Sequence, residues 1–389
     1  MDDFETRRPQ SAGRRTLRQP GVLVRRLAVI FLCALLLIPV AAYRSGTGFD
    51  VVRRYLHYGS PNRYDGAPLY AYEKSSHSRF AALGDTLAAL SENRLSLLSS
   101  GGGELWSMSL HMDAPALSKG GNRAVAWDVG GSQIYVLDAA GLAWSLETEE
   151  PLLCARLNRN GWLAVVTGKR NYKGLVRVYD ASGDIVFDFN SARRFVSDAC
   201  VSDDNSRVAV AALGQEDSVF VTDVLLFRLN QKEPEAEYRL ENALGTELVQ
   251  RGSYLVSAAD TCLVWAKPDG EIKARYDYDG TYLREYDLGG EGFAAALLNR
   301  YQSGSVGRLV TVDSNGEEIG ALEIREEVLD LSAAGRYLAV LYTDRLVVYN
   351  PSLQVYATLT GTDGLGGVLM RSDGSVLLLG PSSATLFLP

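Results

Sequence analysis

The sequence predicts an all-β fold, an eight-bladed β-propeller closed by an N-terminal strand and preceded by one transmembrane helix. Three observations predict it. Eight times a tight polar turn leads into a short, apolar, β-prone run. The turns, spaced 37 to 47 residues apart, are Gly84-Asp85, Gly121-Asn122, Asn160-Gly161, Asp204-Asn205, Arg251-Gly252, Glu291-Gly292, Ala334-Gly335 and Asp373-Gly374. That spacing is the length of four short antiparallel strands, one propeller blade. In several repeats a second hairpin follows with Gly at its tip. The last repeat stops one strand short, at Pro389.

Each repeat reads strand A, turn, strand B, loop, strand C, glycine turn, strand D. The glycine turns are clearest at Asp138-Ala-Ala-Gly141, Asp180-Ala-Ser-Gly183, Asp269-Gly270 and Asp313-Ser-Asn-Gly316. Glycine supplies the positive φ that such hairpins need. The recurring Asp138, Asp180 and Asp313 read as side-chain caps on these turns. A lone four-stranded unit leaves both faces bare, and stacking in a ring buries them. The eighth repeat has strands at Gly367–Met370, Val376–Leu379 and Ala384–Leu388 but no fourth. The run Pro68-Leu-Tyr-Ala-Tyr72, ahead of the first repeat, has no partner of its own and is expected to supply it. Closure of this kind hides an edge that would otherwise template aggregation. Seven blades would follow if one repeat were an insertion; eight turns and eight C strands favour eight.

The N-terminus divides differently. Residues 1–26 form a tail holding Arg7, Arg8, Arg14, Arg15, Arg18, Arg25 and Arg26 against three acidic residues. Residues 27–43 form an unbroken apolar run, at the short end for a membrane span. Basic residues stay on the cytoplasmic side, so the expected localisation is a single-pass cell-membrane protein with its N-terminus inside and its propeller, residues 65–389, outside. A cleavable signal peptide with a site at Val40-Ala41-Ala42 is the rival. The anchor is preferred because the run is longer than a usual signal core of about 7–15 residues. Residues 44–64 form a juxtamembrane linker whose middle, Phe49–Leu56, has the spacing for two helical turns.

Charge and chemistry narrow the function. The chain of 389 residues has a net charge of −8, and residues 44–389 carry 32 basic and 44 acidic groups. Such an acidic domain argues against a nucleic-acid partner, which needs clustered Lys and Arg. Cys154, Cys200 and Cys262 are singletons in apolar strands and read as buried thiols. His57, His77 and His111 are scattered and suggest no metal set. No Gly-x-Ser-x-Gly or His-Glu-x-x-His motif occurs, and neither a catalytic residue nor a cofactor is read from the sequence. Gly101-Gly102-Gly103 reads as a hairpin tip, since no helix follows it.

Val136-Leu-Asp138-Ala-Ala-Gly141-Leu-Ala-Trp144 and Leu98-Ser-Ser-Gly-Gly-Gly-Glu-Leu-Trp106 resemble the Asp-x-x-Gly-x-x-x-Trp repeat of quinoprotein-like propellers. That superfamily holds both quinone-dependent dehydrogenases and non-enzymatic scaffolds of outer-membrane assembly. The tryptophan is replaced at Phe187 and Ile319. A basic tail, one span and a propeller also resemble a family of membrane-anchored bacterial propeller proteins, WD-repeat-like in layout, with no assigned activity. Trp106 and Trp144 read as packing between blades.

The expected function is a binding scaffold for a protein or an anionic cell-envelope partner. The alternative is an envelope enzyme on a propeller, whether quinone-dependent, glycan-active or a hydrolase. Binding on a rigid ring usually resides in variable loops. The B–C connections carry Lys169, Arg170 and Tyr172 in the third repeat and Arg300 and Tyr301 in the sixth, and a D–A connection carries Arg193 and Arg194. These seven residues are expected to share one rim.

Overall fold

The computed structural model describes residues 25–26, 29–31, 33, 50–60, 63–64, 66–73, 75 and 77–389. The chain divides into two units, Met1–Arg53 and Arg54–Pro389. The tail and the apolar run 27–43 lie outside the described residues apart from Arg25, Arg26, Val29–Phe31 and Cys33. Among the described residues no helix is long and apolar enough to cross a membrane.

The second unit contains eight antiparallel sheets of four strands. Blade 1 has its strands at Arg79–Leu83, Thr86–Leu90, Arg94–Leu98 and Glu104–Ser109, and blade 2 at Pro115–Gly120, Arg123–Asp128, Gln133–Asp138 and Gly141–Glu147. Blade 3 spans Leu152–Ser191, blade 4 Phe195–Leu240, blade 5 Gly245–Asp277, blade 6 Tyr282–Ile324 and blade 7 Val328–Thr360. Blade 8 combines Gly367–Met370, Val376–Leu379 and Ser383–Phe387 with Pro68–Ala71 as its outermost strand. Inner strands of most successive blades touch, and those of blades 1 and 8 meet to close the ring. Strand B is sandwiched between neighbouring blades and is mostly buried, wholly so at Leu163–Thr167 and Ala294–Asn299; strand D is outermost and half exposed, as at Glu104–Ser109.

The closing strand pairs Tyr70 with Ala384 and Ala71 with Ser383. Tyr72 extends the join by donating its backbone N–H to Ser382 and its hydroxyl to the Gly380 and Ser383 carbonyls. Arg63 and Leu388 exchange two further backbone hydrogen bonds. Tyr70 is buried, at 1% exposure.

The segment before it is a helix, Asp50–Tyr58, rather than plain linker. Within the ring's own unit, Arg54 is completely buried. Its guanidinium donates to the carbonyls of Asp373 and Pro389 and to the Tyr356 hydroxyl. It thereby ties the chain's last residue and the A–B turn of blade 8 to the start of the unit. A buried cation needs such partners, since desolvating it unpaired costs several kcal/mol.

The turn chemistry follows the sequence. Asp138 accepts from the Ala140 N–H, Asp180 from Ser182 and Asp184, and Asp313 from Asn315 and Glu317. Trp106 of blade 1 lies under the Gly141 turn of blade 2, where a Cβ would sit 3.0 Å from the indole. Trp144 meets the Gly183 turn of blade 3 in the same way. Gly102 does the equivalent across the seam: a Cβ there would lie 1.9 Å from the Leu69 carbonyl of the closing strand.

Candidate functional site

Two regions concentrate chemistry, the rim formed by the B–C and D–A connections and the central channel lined by the inner strands.

At the rim, blade 4 differs from the others. Its B and C strands, Arg207–Glu216 and Val219–Arg228, are ten residues each, and no other described strand exceeds seven. They pair without interruption to Glu216–Val219, and Asp217 and Ser218 adopt positive φ at the tip. The hairpin carries Val219 and Phe220 into solvent, Phe220 at 50% exposure. Phe195, at 58%, and Tyr172 are also exposed.

The expected site residues fall into two groups. Lys169, Arg170 and Tyr172 adjoin Arg193 and Arg194: the Lys173 N–H donates to the Ser191 carbonyl, and Lys173 Nζ lies 4.6 Å from the Phe195 ring centroid. Lys169 Nζ stands 5.6 Å over the Tyr172 ring, and the Arg170 N–H reaches the Glu150 carboxylate at 3.5 Å. Arg193 is exposed. Arg194 is not a free cation. It pairs with Glu216 at 2.5 Å and Asp223 at 2.7 Å, and Arg239 pairs with the same two carboxylates, so the four charges form a closed square that stiffens the hairpin. Arg300 and Tyr301 lie in the B–C connection of blade 6, held by Arg300 N–H to Val306 O and by the Asn299 side chain to Gly304 O. Strand alternation puts them on the same side of the ring, but two to three blades from the first group.

Sequence reading missed Phe195, Val219 and Phe220. The hairpin tip is Asp217-Ser218, with no glycine to announce it, so the lengthened strands were not visible as a projection.

The channel holds a second pattern. The inner strands of blades 3 to 7 each carry a register shift, and the residue after it is Cys154, Asp198, Glu247, Glu285 or Asp330. Adjacent inner strands do not pair as a sheet, so their buried N–H groups need other acceptors. The carboxylates provide them. Asp198 accepts from Leu248 N, Glu285 from Leu331 N, Asp330 from Val368 N and Asp287 from Ala333 N, each from the following blade. Asp198, fully buried, also takes the Arg156 Nε at 2.8 Å and the Cys154 thiol at 2.9 Å. Arg156 continues to Glu247 at 2.7 Å. Cys154, Cys200 and Cys262 are all free thiols, and burial pushes each thiol upward. Burial and the neighbouring Asp330 raise Glu285 to about 8, and burial raises Asp287 to about 6. Among the described residues no group of three or more His, Cys, Asp or Glu is placed to hold a metal ion.

A model described as a family of unknown function, DUF5711, matches residues 60–352. The chain belongs to that family. No curated protein matches it. Among solved structures, the computationally designed Ika8 protein superposes with a TM-score of 0.62 at 14% identity, covering 82% of this chain and 99% of its own. BamB from Moraxella catarrhalis gives 0.55 at 14%, covering 82% and 98%. The quinohemoprotein alcohol dehydrogenase ADHIIG from Pseudomonas putida HK5 gives 0.55 at 10%, covering 82% and 75%. At these identities the likeness is one of fold: this chain has a propeller of the kind seen in BamB and in that quinohemoprotein dehydrogenase.

Proposed function

We propose that this protein is a membrane-anchored scaffold whose propeller lies outside the cytoplasm and binds a protein partner at the rim of blades 3 and 4. The observation that carries the reading is the projecting blade 4 hairpin. It carries exposed Val219 and Phe220 on the same rim as exposed Phe195, which Lys173 covers, and as the loop that holds Lys169, Arg170 and Tyr172 and the connection that holds Arg193. Aromatic anchors flanked by positive charge, on a domain that is otherwise acidic, suit an acidic polypeptide. The closed charge square below the hairpin fixes the shape presented, so little ordering entropy is lost on docking.

The test is photo-crosslinking in intact cells. A photoreactive residue at Phe220 and one at Tyr172 should capture the same polypeptide. Leu105, exposed on the outer strand of blade 1, serves as the control position. The adduct should disappear in a Lys169→Glu, Arg170→Glu double variant. Equal capture at Leu105, or an adduct unaffected by charge reversal, would refute the site.

A further inference from the structure

The seam between blades 5 and 6 departs from the repeat. Its inner strands, Gly245–Arg251 and Tyr282–Asp287, make less contact than those at any other seam of the ring. The A–B turns there differ too. Only Gly252 and Ser253 separate strands A and B in blade 5, whereas residues 288–293 do so in blade 6. The longer turn is fixed against blade 7. The Glu291 N–H donates to the Gly335 carbonyl at 2.6 Å, and Gly290 and Gly335 form a β-bridge. Gly289 permits that approach, since a Cβ there would lie 2.3 Å from the Ala333 carbonyl. A turn held towards blade 7 leaves its blade 5 side open, and a cavity of about 520 Å³ lies there.

Part of the cavity wall is apolar, with Val256, Trp265, Leu288 and Phe293 all buried. Ser253, Glu291 and Ser314 add polar groups. Their side chains, and the Trp265 indole N–H, make no hydrogen bond among the described residues. Trp265 is 4% exposed, and a buried donor without an acceptor is costly, so a ligand that accepts is favoured beside it. Arg159 and Arg251 also reach the wall, and both are balanced. Asp203 pairs with Arg159 at 3.6 Å. Asp287, Glu247 and Asp203 act on Arg251, whose Nε donates to the Leu288 carbonyl. An anionic ligand would therefore meet the Glu291 carboxylate with no spare cation to hold it. A cationic ligand would meet two guanidinium groups. A neutral ligand avoids both costs.

We propose that this cavity binds a small neutral saccharide. Sugar hydroxyls both donate and accept, so they match the Glu291 carboxylate, the Ser253 and Ser314 hydroxyls and the Trp265 N–H. A guanidinium whose charge is already balanced can still donate to them. The C–H face of a sugar ring covers the apolar part of the wall. An aromatic ligand would cover it equally but leave most of these polar groups unpaired. The volume falls within the range of small-molecule pockets, about 300–1,000 Å³. The A–B turns lie on the side of the disc opposite the B–C rim, so the proposal does not rest on the scaffold reading.

The full chain is titrated with glucose, N-acetylglucosamine and maltose, followed by saturation-transfer NMR and calorimetry. Glucuronate, glucosamine and indole serve as an anionic, a cationic and an aromatic comparator. At least one neutral saccharide should saturate a single site at millimolar concentration, more tightly than all three comparators. Ser253→Trp places an indole in the cavity and should abolish binding. Glu291→Ala removes a charged acceptor and should weaken binding about tenfold or more. Both side chains are exposed, and the melting temperature of each variant is recorded to confirm folding. Absence of saturable binding by all three saccharides at millimolar concentration overturns the proposal. So does a comparator that binds as tightly as the best saccharide, or unchanged affinity in either folded variant.

Discussion

At the residue scale, single buried polar groups do work that apolar packing cannot. Asp198 accepts from Arg156, from Cys154 and from the backbone of blade 5, so it joins three inner strands. Asp198→Ala leaves Arg156 without its buried partner and the Leu248 N–H unsatisfied. The expected cost is about 3–5 kcal/mol, read by chemical denaturation. Glu285 behaves differently. Its carboxyl is raised from 4.5 to about 8, so the folded state holds a proton that the unfolded state releases. Stability from this group is fully present below about pH 4.5 and is lost as pH rises through 8. Asp287, raised to about 6, adds a slope of the same sign at lower pH. Melting temperature should therefore fall between pH 5 and pH 8.5, and because Glu285 and the likewise raised Asp330 titrate as a pair, Glu285→Gln should flatten part of that fall. A wild-type profile that rises over this interval would contradict the assignment. The Gly141 turn is equally specific. At φ 134 and with an indole 3.0 Å away, Gly141→Ala meets both backbone strain and a clash, and should cost about 1–3 kcal/mol.

At the element scale, the closing strand and the helix before it divide one task. The strand contributes ladder hydrogen bonds and a buried tyrosine. The helix contributes Arg54, which joins the C-terminal carbonyl, the blade 8 turn and Tyr356. Deleting residues 65–73 should open the ring and expose the unpaired edge of Ser383–Phe387, giving an aggregating protein. Arg54→Ala keeps the strand but strands three acceptors. It should remain folded and lose about 2–4 kcal/mol, seen as a lower denaturation midpoint with an unchanged circular dichroism spectrum. Equal behaviour of the two variants would show that closure does not rest on the strand. The latch was not legible in the sequence. Phe49–Leu56 had helical spacing, yet nothing local says that its arginine is buried against residues over 300 positions away.

At the scale of the whole molecule, repetition and closure govern what the chain presents. Eight similar units fix a rigid disc, and a departure from the repeat, the long hairpin of blade 4, marks candidate function. The apolar run 27–43 adds the expectation of a single-pass anchor. The full-length protein should stay with membranes through a high-salt wash, and protease added from outside should remove the ring. A soluble protein beginning near Tyr43 would instead show cleavage of a signal peptide.

The sequence by itself determined the blade count, the turn chemistry of Asp138, Asp180 and Asp313, the packing of Trp106 and Trp144, and the strand that closes the ring. Those features are local or recur at a fixed period, so they can be read along the chain. It also placed Lys169, Arg170, Tyr172, Arg193 and Arg194 on neighbouring connections, because the repeat dictates which loops emerge together. Only the tertiary structure decided that Arg194 is consumed by Glu216 and Asp223, and that Arg54 is buried against Asp373, Tyr356 and Pro389. Charge compensation depends on distances between residues remote in sequence. A ring brings inner strands together around a channel in a way that no single repeat records.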